Sequence, residues 1–157
     1  DLIKIGFTNP GNPEPLARHA MACPALPLCG LAMTEAERFL PELLKRIKNQ
    51  LIALKINKSI LIRVTGCPNG CARPYMAELA LVGSGLNQYQ LWLGGSTDLK
   101  RLATPYLQKM PIDQLENILE PLLLSWKNAG ATLSLGDYVT KLGNKHVMSL
   151  LTSNAAP

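Results

Sequence analysis

Four cysteines, arranged in two closely spaced pairs, form the pattern in this sequence most capable of chemistry. Five residues separate Cys23 from Cys29, three separate Cys67 from Cys71, and 37 residues lie between the pairs. The chain has 4 cysteines in total, so every thiol belongs to this pattern. Thiolates bind metal ions and iron–sulfur clusters, and thiols also form disulfides. The pattern therefore indicates one of these chemistries or a structural use of free cysteines.

Each of these uses makes a different demand on the spacing. Four cysteines could form two disulfides. However, a chain of this length does not need disulfides to be stable, and its sequence gives no sign of export. Zinc sites usually place roughly two to four residues between paired ligands, which the first pair exceeds. Free buried cysteines are a further alternative. A 4Fe–4S cluster needs four thiolates that converge on an object larger than one ion. The spacing favours the cluster and leaves the other uses open.

Proline and glycine constrain both cysteine segments. Proline fixes φ and removes a backbone donor, whereas glycine allows the backbone to bend closely. The constraining residues are Pro24, Pro27, Gly66, Pro68 and Gly70. We expect the N–H groups of Asn69, Gly70 and Cys71 to point at sulfur, and such hydrogen bonds raise the potential of a cluster.

The composition is that of a globular protein and excludes several function classes. The chain has 157 residues, of which 47% are hydrophobic and 17% charged, enough for one domain with a core. No apolar run reaches the roughly 20 residues that span a bilayer, and the first residues lack a signal peptide. With 5% aromatic residues and no recognised motif, nucleic-acid binding is not expected. We expect no membrane partner and a cytoplasmic location, or a plastid stroma in a plant or alga.

The net charge of +5 is spread along the chain except in the basic stretch 45–58. One interpretation of this stretch is the solvated face of a helix. The other is a docking face for an acidic partner, because opposite charge speeds the encounter of two proteins.

The order of predicted elements gives an α+β fold with a mostly antiparallel sheet, helices on one face and the cysteine loops at one end. Residues 1–32 are predicted to be an irregular wrapping segment, 33–143 the domain and 144–157 a tail, of which 149–157 is expected to be frayed. Thr34 and Glu37 fit a capping box, so a helix is predicted from there to Leu54 with a kink or break at Pro41. Strands are predicted at 59–65, 77–84 and 88–95, the last two as a hairpin, and helices at 111–130 and 135–143.

The stretches "ACPALPLCGLAMTEAERFLP" and "RVTGCPNGCARPYMAELALVG" resemble the C-terminal part of ferredoxin-dependent sulfite reductase, in the sulfite/nitrite reductase hemoprotein family. The resemblance covers Arg18 to Gly95 and continues more weakly to Gly143. It implies that Cys23, Cys29 and Cys67 bind a 4Fe–4S cluster. Cys71 is implied to be the fourth ligand, whose sulfur also binds the iron of siroheme and so bridges the two cofactors at the catalytic centre.

The same resemblance implies weaker assignments around the cofactors. Asn69, Arg73, Gly94 and Gly95 match positions beside siroheme, although Asn69 also suits a turn, Arg73 a surface ion pair and the glycines a tight bend. His19 and His146 are expected to be structural or exposed.

The implied parent enzyme reduces sulfite to sulfide with six electrons delivered singly by ferredoxin. The basic residues that hold sulfite would lie on an N-terminal part of the reductase outside this sequence, so the chain alone is expected to be inactive. The alternatives are nitrite reductase of the same family and a non-catalytic iron–sulfur electron-transfer module.

Overall fold

A computed structural model describes residues 2–6 and 14–153 of the chain. In these residues the α helices are α1 Pro15–His19, α2 Leu40–Ala53, α3 Leu115–Asn128, α4 Leu135–Leu142 and α5 Asn144–Thr152. The strands are β1 Met21–Ala22, β2 Ile62–Thr65, β3 Leu79–Gly85, β4 Gln88–Leu93 and β5 Thr104–Pro111. Short 3₁₀ turns cover Leu2–Ile5, Pro74–Met76 and Ile112–Gln114.

The strands form one five-stranded sheet in the order β1-β2-β3-β4-β5. The pairs β1–β2 and β2–β3 are parallel, and the pairs β3–β4 and β4–β5 are antiparallel. Ala22 is paired with Val64 in the first ladder, and Val64 with Leu81 in the second. Because β1 and β2 are parallel neighbours, their carboxyl ends lie at the same edge of the sheet.

Helices cover one face of this sheet, as the sequence predicts. Side chains of a strand alternate between the two faces. In β2, Ile62 and Val64 join the apolar core, whereas the intervening Arg63 points to the other face. The core also contains these fully buried helical residues: Leu43, Ile47, Leu119, Leu122, Leu123 and Trp126. The predicted combination of a sheet with helices on one side is confirmed, although half of its strand pairings are parallel.

The predicted start of the first long helix is wrong. The α helix begins at Leu40, and Pro41 lies in its first turn, where a proline fits without a kink. Thr34 is buried and does not cap this helix. Its hydroxyl donates to the Tyr89 hydroxyl at 3.2 Å and accepts from the backbone N–H of Asn87 at 3.2 Å. The capping-box pattern is a coincidence, because the Thr34 hydroxyl forms its hydrogen bonds with residues distant in sequence and not with the helix N-terminus.

The predicted hairpin and second long helix are confirmed. Strands β3 and β4 pair around Asn87, whose φ of 54° is a left-handed turn conformation. Helix α3 follows the predicted apolar pattern, and Gly130 lies beyond its end with φ of 83°. The predicted short helix is α4, whose Ser134 side chain caps the N–H of Asp137 at 3.1 Å.

Two elements differ from the sequence-based expectation. Strand β5 was not predicted; it carries Pro105 and Pro111 and forms an edge of the sheet, where proline is tolerated. The predicted fraying is wrong over residues 149–152, because they belong to helix α5, Asn144–Thr152, in which Val147 and Leu151 are fully buried.

The division of the chain at residues 32 and 143 stays a prediction. Within the first part, β1 is a strand of the sheet. Residues 1, 7–13 and 154–157, which belong to the predicted wrapping segment and tail, lie outside the described residues. No helix in the described ranges is long and apolar enough to cross a membrane.

Candidate cysteine site

Two neighbouring parallel strands position one cysteine of each pair. Cys23 directly follows β1, and its backbone N–H donates to Val64 O at 3.2 Å, which extends the pairing with β2. Cys67 lies two residues beyond the end of β2. Both cysteines therefore lie where the chain leaves the same edge of the sheet, and the two cysteine segments begin side by side.

Gly66 joins the two cysteine segments. Its N–H donates to Cys23 Sγ at 3.3 Å, and its carbonyl accepts from the N–H groups of Met33 at 2.8 Å and Thr34 at 3.3 Å. A Cβ at this position would lie 2.6 Å from the Ala25 Cβ and 2.7 Å from Thr34 O, closer than atoms can approach. Only glycine fits here, and it locks the loop that follows β1 against the start of the loop that follows β2.

The first cysteine loop, residues 23–33, is a tight turn that ends in an apolar surface. Ala25 has φ of 51°, and its carbonyl accepts from the Cys29 N–H at 2.7 Å. Leu28 and Leu31 flank Cys29 and are 79% and 70% exposed. This end of the loop therefore presents an apolar surface beside the Cys29 thiol.

The second cysteine loop, residues 66–73, is held by an aromatic residue that follows it. Gly70 has φ of 69° and makes the bend. The Tyr75 hydroxyl donates to Pro68 O at 2.7 Å. Its ring lies against Gly70 and contacts the tilted ring of Trp92, with 4.6 Å between the ring centroids. Burial and the nearby Cys67 raise the pKa of Tyr75, so its hydroxyl stays protonated and donates at neutral pH.

The four thiols differ in accessibility, and all four are free. Cys23 and Cys67 are buried, Cys29 is half-buried and Cys71 is exposed. The disulfide alternative therefore finds no support in the structure. No group of three or more His, Cys, Asp or Glu side chains in residues 2–6 and 14–153 is placed to hold a metal ion.

The donor set still fits a sulfur-ligated cluster in its chemistry. Its four free thiols lie on two interlocked loops, and an N–H group already donates to one sulfur. A cluster is larger than one ion and holds its thiolates further apart than an ion does. Hydrogen bonds from backbone N–H groups to sulfur are the kind that tune such clusters.

The other predicted site residues lie in two places. Asn69 and Arg73 are exposed on the second cysteine loop, and Arg73 has φ of 51°. Gly94 and Gly95 follow β4, and their N–H groups donate to Glu78 O and Ala77 O, both at 3.1 Å. A Cβ at Gly95 would lie 2.2 Å from Ala77 O. Close packing against Ala77 is therefore enough to explain why residue 95 is a glycine. The contact of Gly94 and Gly95 with a macrocycle stays a prediction.

Sequence reasoning missed two buried charged residues of the sheet and its flanking segment. Arg63, on β2, donates from Nη1 to Arg73 O at 3.0 Å, beneath the end of the second cysteine loop. Glu78 accepts from the N–H groups of Leu61 at 2.8 Å and Gly136 at 3.0 Å, which ties the sheet to α4. For Arg63 the sequence "IRVT" held a usable signal. Side chains alternate along a strand, so Arg63 lies on the face opposite to that of its apolar neighbours Ile62 and Val64. His19 and His146 are both exposed.

No family model matches the chain, but individual proteins do. The chain is 52% identical over 132 residues to the sulfite reductase of Synechococcus elongatus that is named for ferredoxin, covering 83% of this chain and 21% of that protein. It is 53% identical over 114 residues to the NADPH sulfite reductase hemoprotein beta-component of Xylella fastidiosa, covering 71% of this chain and 20% of that protein. The corresponding Myxococcus xanthus protein is 43% identical over 133 residues, which cover 83% of this chain and 24% of that protein.

Solved structures share the fold. The Mycobacterium tuberculosis NirA protein superposes with a TM-score of 0.71 and 21% identity, over 87% of this chain and 27% of that one. Dissimilatory sulfite reductase I superposes with a TM-score of 0.64 and 9% identity, over 88% of this chain and 53% of that one.

These similarities define the class as that of the sulfite reductases, several of them named as hemoproteins. The chain belongs to the sulfite/nitrite reductase family. It spans about a fifth of the length of the curated relatives it matches.

Proposed function

We propose that the chain is the part of a sulfite reductase that binds a 4Fe–4S cluster and one face of siroheme, for the six-electron reduction of sulfite to sulfide. Cys23, Cys29, Cys67 and Cys71 are the proposed cluster ligands. Cys71 is also the proposed bridge, because its thiol is exposed on the loop and can be shared with a second metal centre.

The observation that carries the proposal is the junction at Gly66. It brings the two cysteine segments together through hydrogen bonds to Cys23 Sγ, Met33 and Thr34. Free cysteines that only fill the core do not require two loops to be joined at a glycine. The junction at Gly66 therefore favours a shared function of the two cysteine loops. The arrangement suits a group that must receive ligands from both loops at once.

The chain's own residues would position and tune the cofactors. The Gly66 N–H donates to Cys23 Sγ and so would orient that ligand and tune a cluster bound to it. Tyr75 holds Pro68 O and the bend at Gly70, which fixes the backbone between Cys67 and Cys71. When bound, the cluster and siroheme would supply single electrons to the substrate.

Asn69, Arg73, Gly94 and Gly95 are proposed to border siroheme. Asn69 and Arg73 are exposed on the loop that carries Cys71, so their side chains are free to reach a macrocycle beside that sulfur. Arg73 offers a guanidinium to the carboxylates of such a macrocycle. Gly94 and Gly95 pack on the segment that directly follows this loop.

Sulfite is the proposed substrate and ferredoxin the proposed electron donor of the longer reductase, supported by the name of the Synechococcus elongatus relative. The NADPH forms are similarly close to this chain, so the donor needs its own test. The basic stretch 45–58 is partly engaged within the chain, because Arg46 pairs with Glu116 and Lys48 with Glu14. Lys58 also donates to Thr132 O at 3.1 Å, which leaves Lys45 and Lys55 of this stretch for an acidic partner.

The proposal is tested by rebuilding the cluster in the chain under anaerobic conditions with ferrous iron and sulfide. We expect about four iron and four sulfide per chain, and loss of most of this content in each single Cys→Ser variant. Ser149→Ala, an exposed change on α5, serves as the control and keeps the full content. Zinc binding without iron or labile sulfide, or an unchanged cluster in Cys67→Ser, would contradict the proposal.

The bridge and the substrate are tested in the longer reductase. Electron paramagnetic resonance of the reduced enzyme should show coupled cluster and siroheme signals that are lost in Cys71→Ser. Turnover of sulfite against nitrite separates the two reductase alternatives, and the absence of siroheme absorption would favour the electron-transfer module. Reduction rates with ferredoxin and with an NADPH-dependent donor identify the physiological electron source.

A further inference from the structure

A second candidate site lies at the edge of the sheet opposite the cysteines. A cavity of about 450 Å³ opens there, beside the amino ends of the parallel strands. The residues that line it and carry polar or charged side chains are Arg18, His19, Ser59, Arg63, Glu78 and Thr97. None of these is a predicted cluster ligand, so this cavity needs a separate explanation.

Arg63 is the buried charge of this cavity. Only 4% of the residue is exposed. Its Nη1 donates to Arg73 O at 3.0 Å, but its Nε has no hydrogen-bond partner in the described part of the chain. Burial and the positive charge of Arg73 both lower the pKa of Arg63. A buried guanidinium with a free donor and a cationic neighbour is destabilising unless an anion compensates it.

Glu78, the acidic residue of the cavity lining, does not serve as this anion. Its two carboxylate oxygens accept from the N–H groups of Leu61 and Gly136, at 2.8 Å and 3.0 Å. No ion pair between Arg63 and Glu78 forms among the described residues. The backbone thus holds the carboxylate in place and leaves the guanidinium for another partner.

The remaining lining groups are those that bind anions. His19 brings a further donor, and Ser59 and Thr97 bring hydroxyls at the exposed mouth of the cavity. Guanidinium groups match the planar geometry of carboxylates and oxyanions and form the strongest of these hydrogen bonds. The cavity combines a buried anchor with an accessible polar rim.

We propose that this cavity binds an oxyanion or carboxylate group, with Arg63 as the buried anchor and Thr97 and His19 as rim donors. The proposal does not depend on the cluster. The bound group is either a free small anion or an acidic side chain from another part of the longer reductase, and the two share the same chemistry.

The position of Arg63 connects this cavity to the cysteine site. The guanidinium that would hold the anion also donates to Arg73 O, two residues beyond Cys71. Occupation of the cavity therefore fixes the side chain that supports the end of the second cysteine loop.

The test is a titration of the 157-residue chain with inorganic phosphate, followed by the ¹⁵N and ¹H resonances of the arginine Nε–H groups. Chloride keeps the ionic strength constant, so that general screening is removed from the result. We expect a saturable shift of the Arg63 Nε–H resonance. Acetate should give the same shift with weaker affinity, because it carries a single charge.

Variants separate a built site from general attraction to a basic protein. Arg63→Lys keeps the charge but loses the planar fork, and we expect roughly a tenfold loss of affinity. Thr97→Val and His19→Gln, changes at the exposed rim, should each weaken binding several-fold without unfolding the chain. Lys109→Gln removes one exposed positive charge elsewhere and should leave the affinity unchanged.

Two results would overturn the proposal. One is the lack of any saturable shift at Arg63, and the other is an equal loss of affinity in Lys109→Gln and Thr97→Val. Calorimetric titration of the longer reductase with phosphate then identifies the source of the anion. If the reductase binds phosphate and Thr97→Val weakens that binding, the natural ligand is a free anion. If the chain binds phosphate but the reductase does not, an internal carboxylate already occupies the cavity.

Discussion

The helical layer and the cysteine end of this molecule are stabilised in different ways. In the helical layer, the side chains from α2, α3 and α5 that face the sheet are buried and apolar. At the cysteine end, short loops with left-handed residues are held by single backbone hydrogen bonds, and two leucines and a thiol are exposed. The first region is stabilised by apolar burial, whereas the second presents an exposed thiol and two exposed leucines at the surface.

This contrast indicates how the fold serves the proposed chemistry. Burial of apolar area supplies most of the stability of a domain, and it does so without specifying any ligand. A rigid layer of helices on one face allows the loops beyond the strand ends to be strained and reactive. Substitutions in the helical layer should therefore change the stability of the fold, whereas substitutions at the cysteine end should change the reactivity of the thiols.

The largest expected effect is on stability, in the helical layer. Leu119→Ala removes a fully buried side chain of α3, and we expect a loss of about 2–5 kcal/mol in the free energy of unfolding. Cys71→Ser, at an exposed position, should change that free energy by less than about 0.5 kcal/mol. Urea unfolding of the chain without cofactors measures both. Equal losses in the two variants would show that the regions are not independent.

The next effect is at the junction of the two cysteine loops. Gly66→Ala introduces a Cβ that would lie 2.6 Å from Ala25 Cβ, and we expect a destabilisation of roughly 1–3 kcal/mol. Gly30→Ala is the matched control in the same region, because no atom lies within 4 Å of its added Cβ. Displacement of the loop should also expose Cys23.

Alkylation rates of Cys23 test this displacement directly. We expect the exposed Cys71 to react first in the unsubstituted chain and the buried Cys23 to react slowly. In Gly66→Ala the rate of Cys23 should rise, while in Gly30→Ala it should not. A slow Cys23 in both variants would mean that the junction does not hold the first loop.

The regular part of the fold was predictable because its signals are local. The apolar period of α3 and the turn around Asn87 each depend on residues close in sequence, and both predictions are confirmed. The start of α2 was mispredicted because Thr34 bonds to Tyr89, 55 residues away. Helix α5 was missed because its amphipathic pattern is short, and packing against α3 determines it.

The candidate site divides in the same manner. The cysteine spacing is visible in the sequence, whereas the junction at Gly66 depends on two segments that meet only in the folded chain. The cavity around Arg63 could be predicted only in part. Alternation in β2 places that arginine on the second face, but its neighbours from 18–19, 59 and 97 come from distant segments.

A smaller effect is expected where an ion pair joins two helices of the stable layer. Arg46 of α2 holds Glu116 of α3 through both carboxylate oxygens and also donates to Ile112 O at 2.7 Å. Its hydrogen bonds lower the pKa of Glu116. The ion pair therefore stabilises the folded chain at neutral pH. This stabilisation begins to fall near the ordinary glutamate pKa, about 4.3, and is lost as the pH drops below the lowered pKa of Glu116.

Glu116→Gln should cost about 1 kcal/mol at pH 7, because the pair is only partly shielded from solvent. The difference from the unsubstituted chain should shrink as the pH is lowered toward 3. Glu120→Gln, an exposed change on the same helix, is the control and should have little effect at either pH. Urea midpoints measured between pH 3 and pH 7 check this, and a constant difference over the range would refute the linkage.

The smallest effect returns to the cysteine end. Tyr75→Phe removes the hydroxyl that donates to Pro68 O at 2.7 Å and keeps the ring on Trp92, so we expect a loss of about 0.5–1 kcal/mol. Tyr106→Phe, which removes an exposed hydrogen bond to Asn144, is the matched control. Because only Tyr75 holds the backbone between two cysteines, its variant alone should speed the alkylation of the buried Cys67. If both variants left that rate unchanged, Gly66 and Gly70 would be enough to set the loop without the tyrosine.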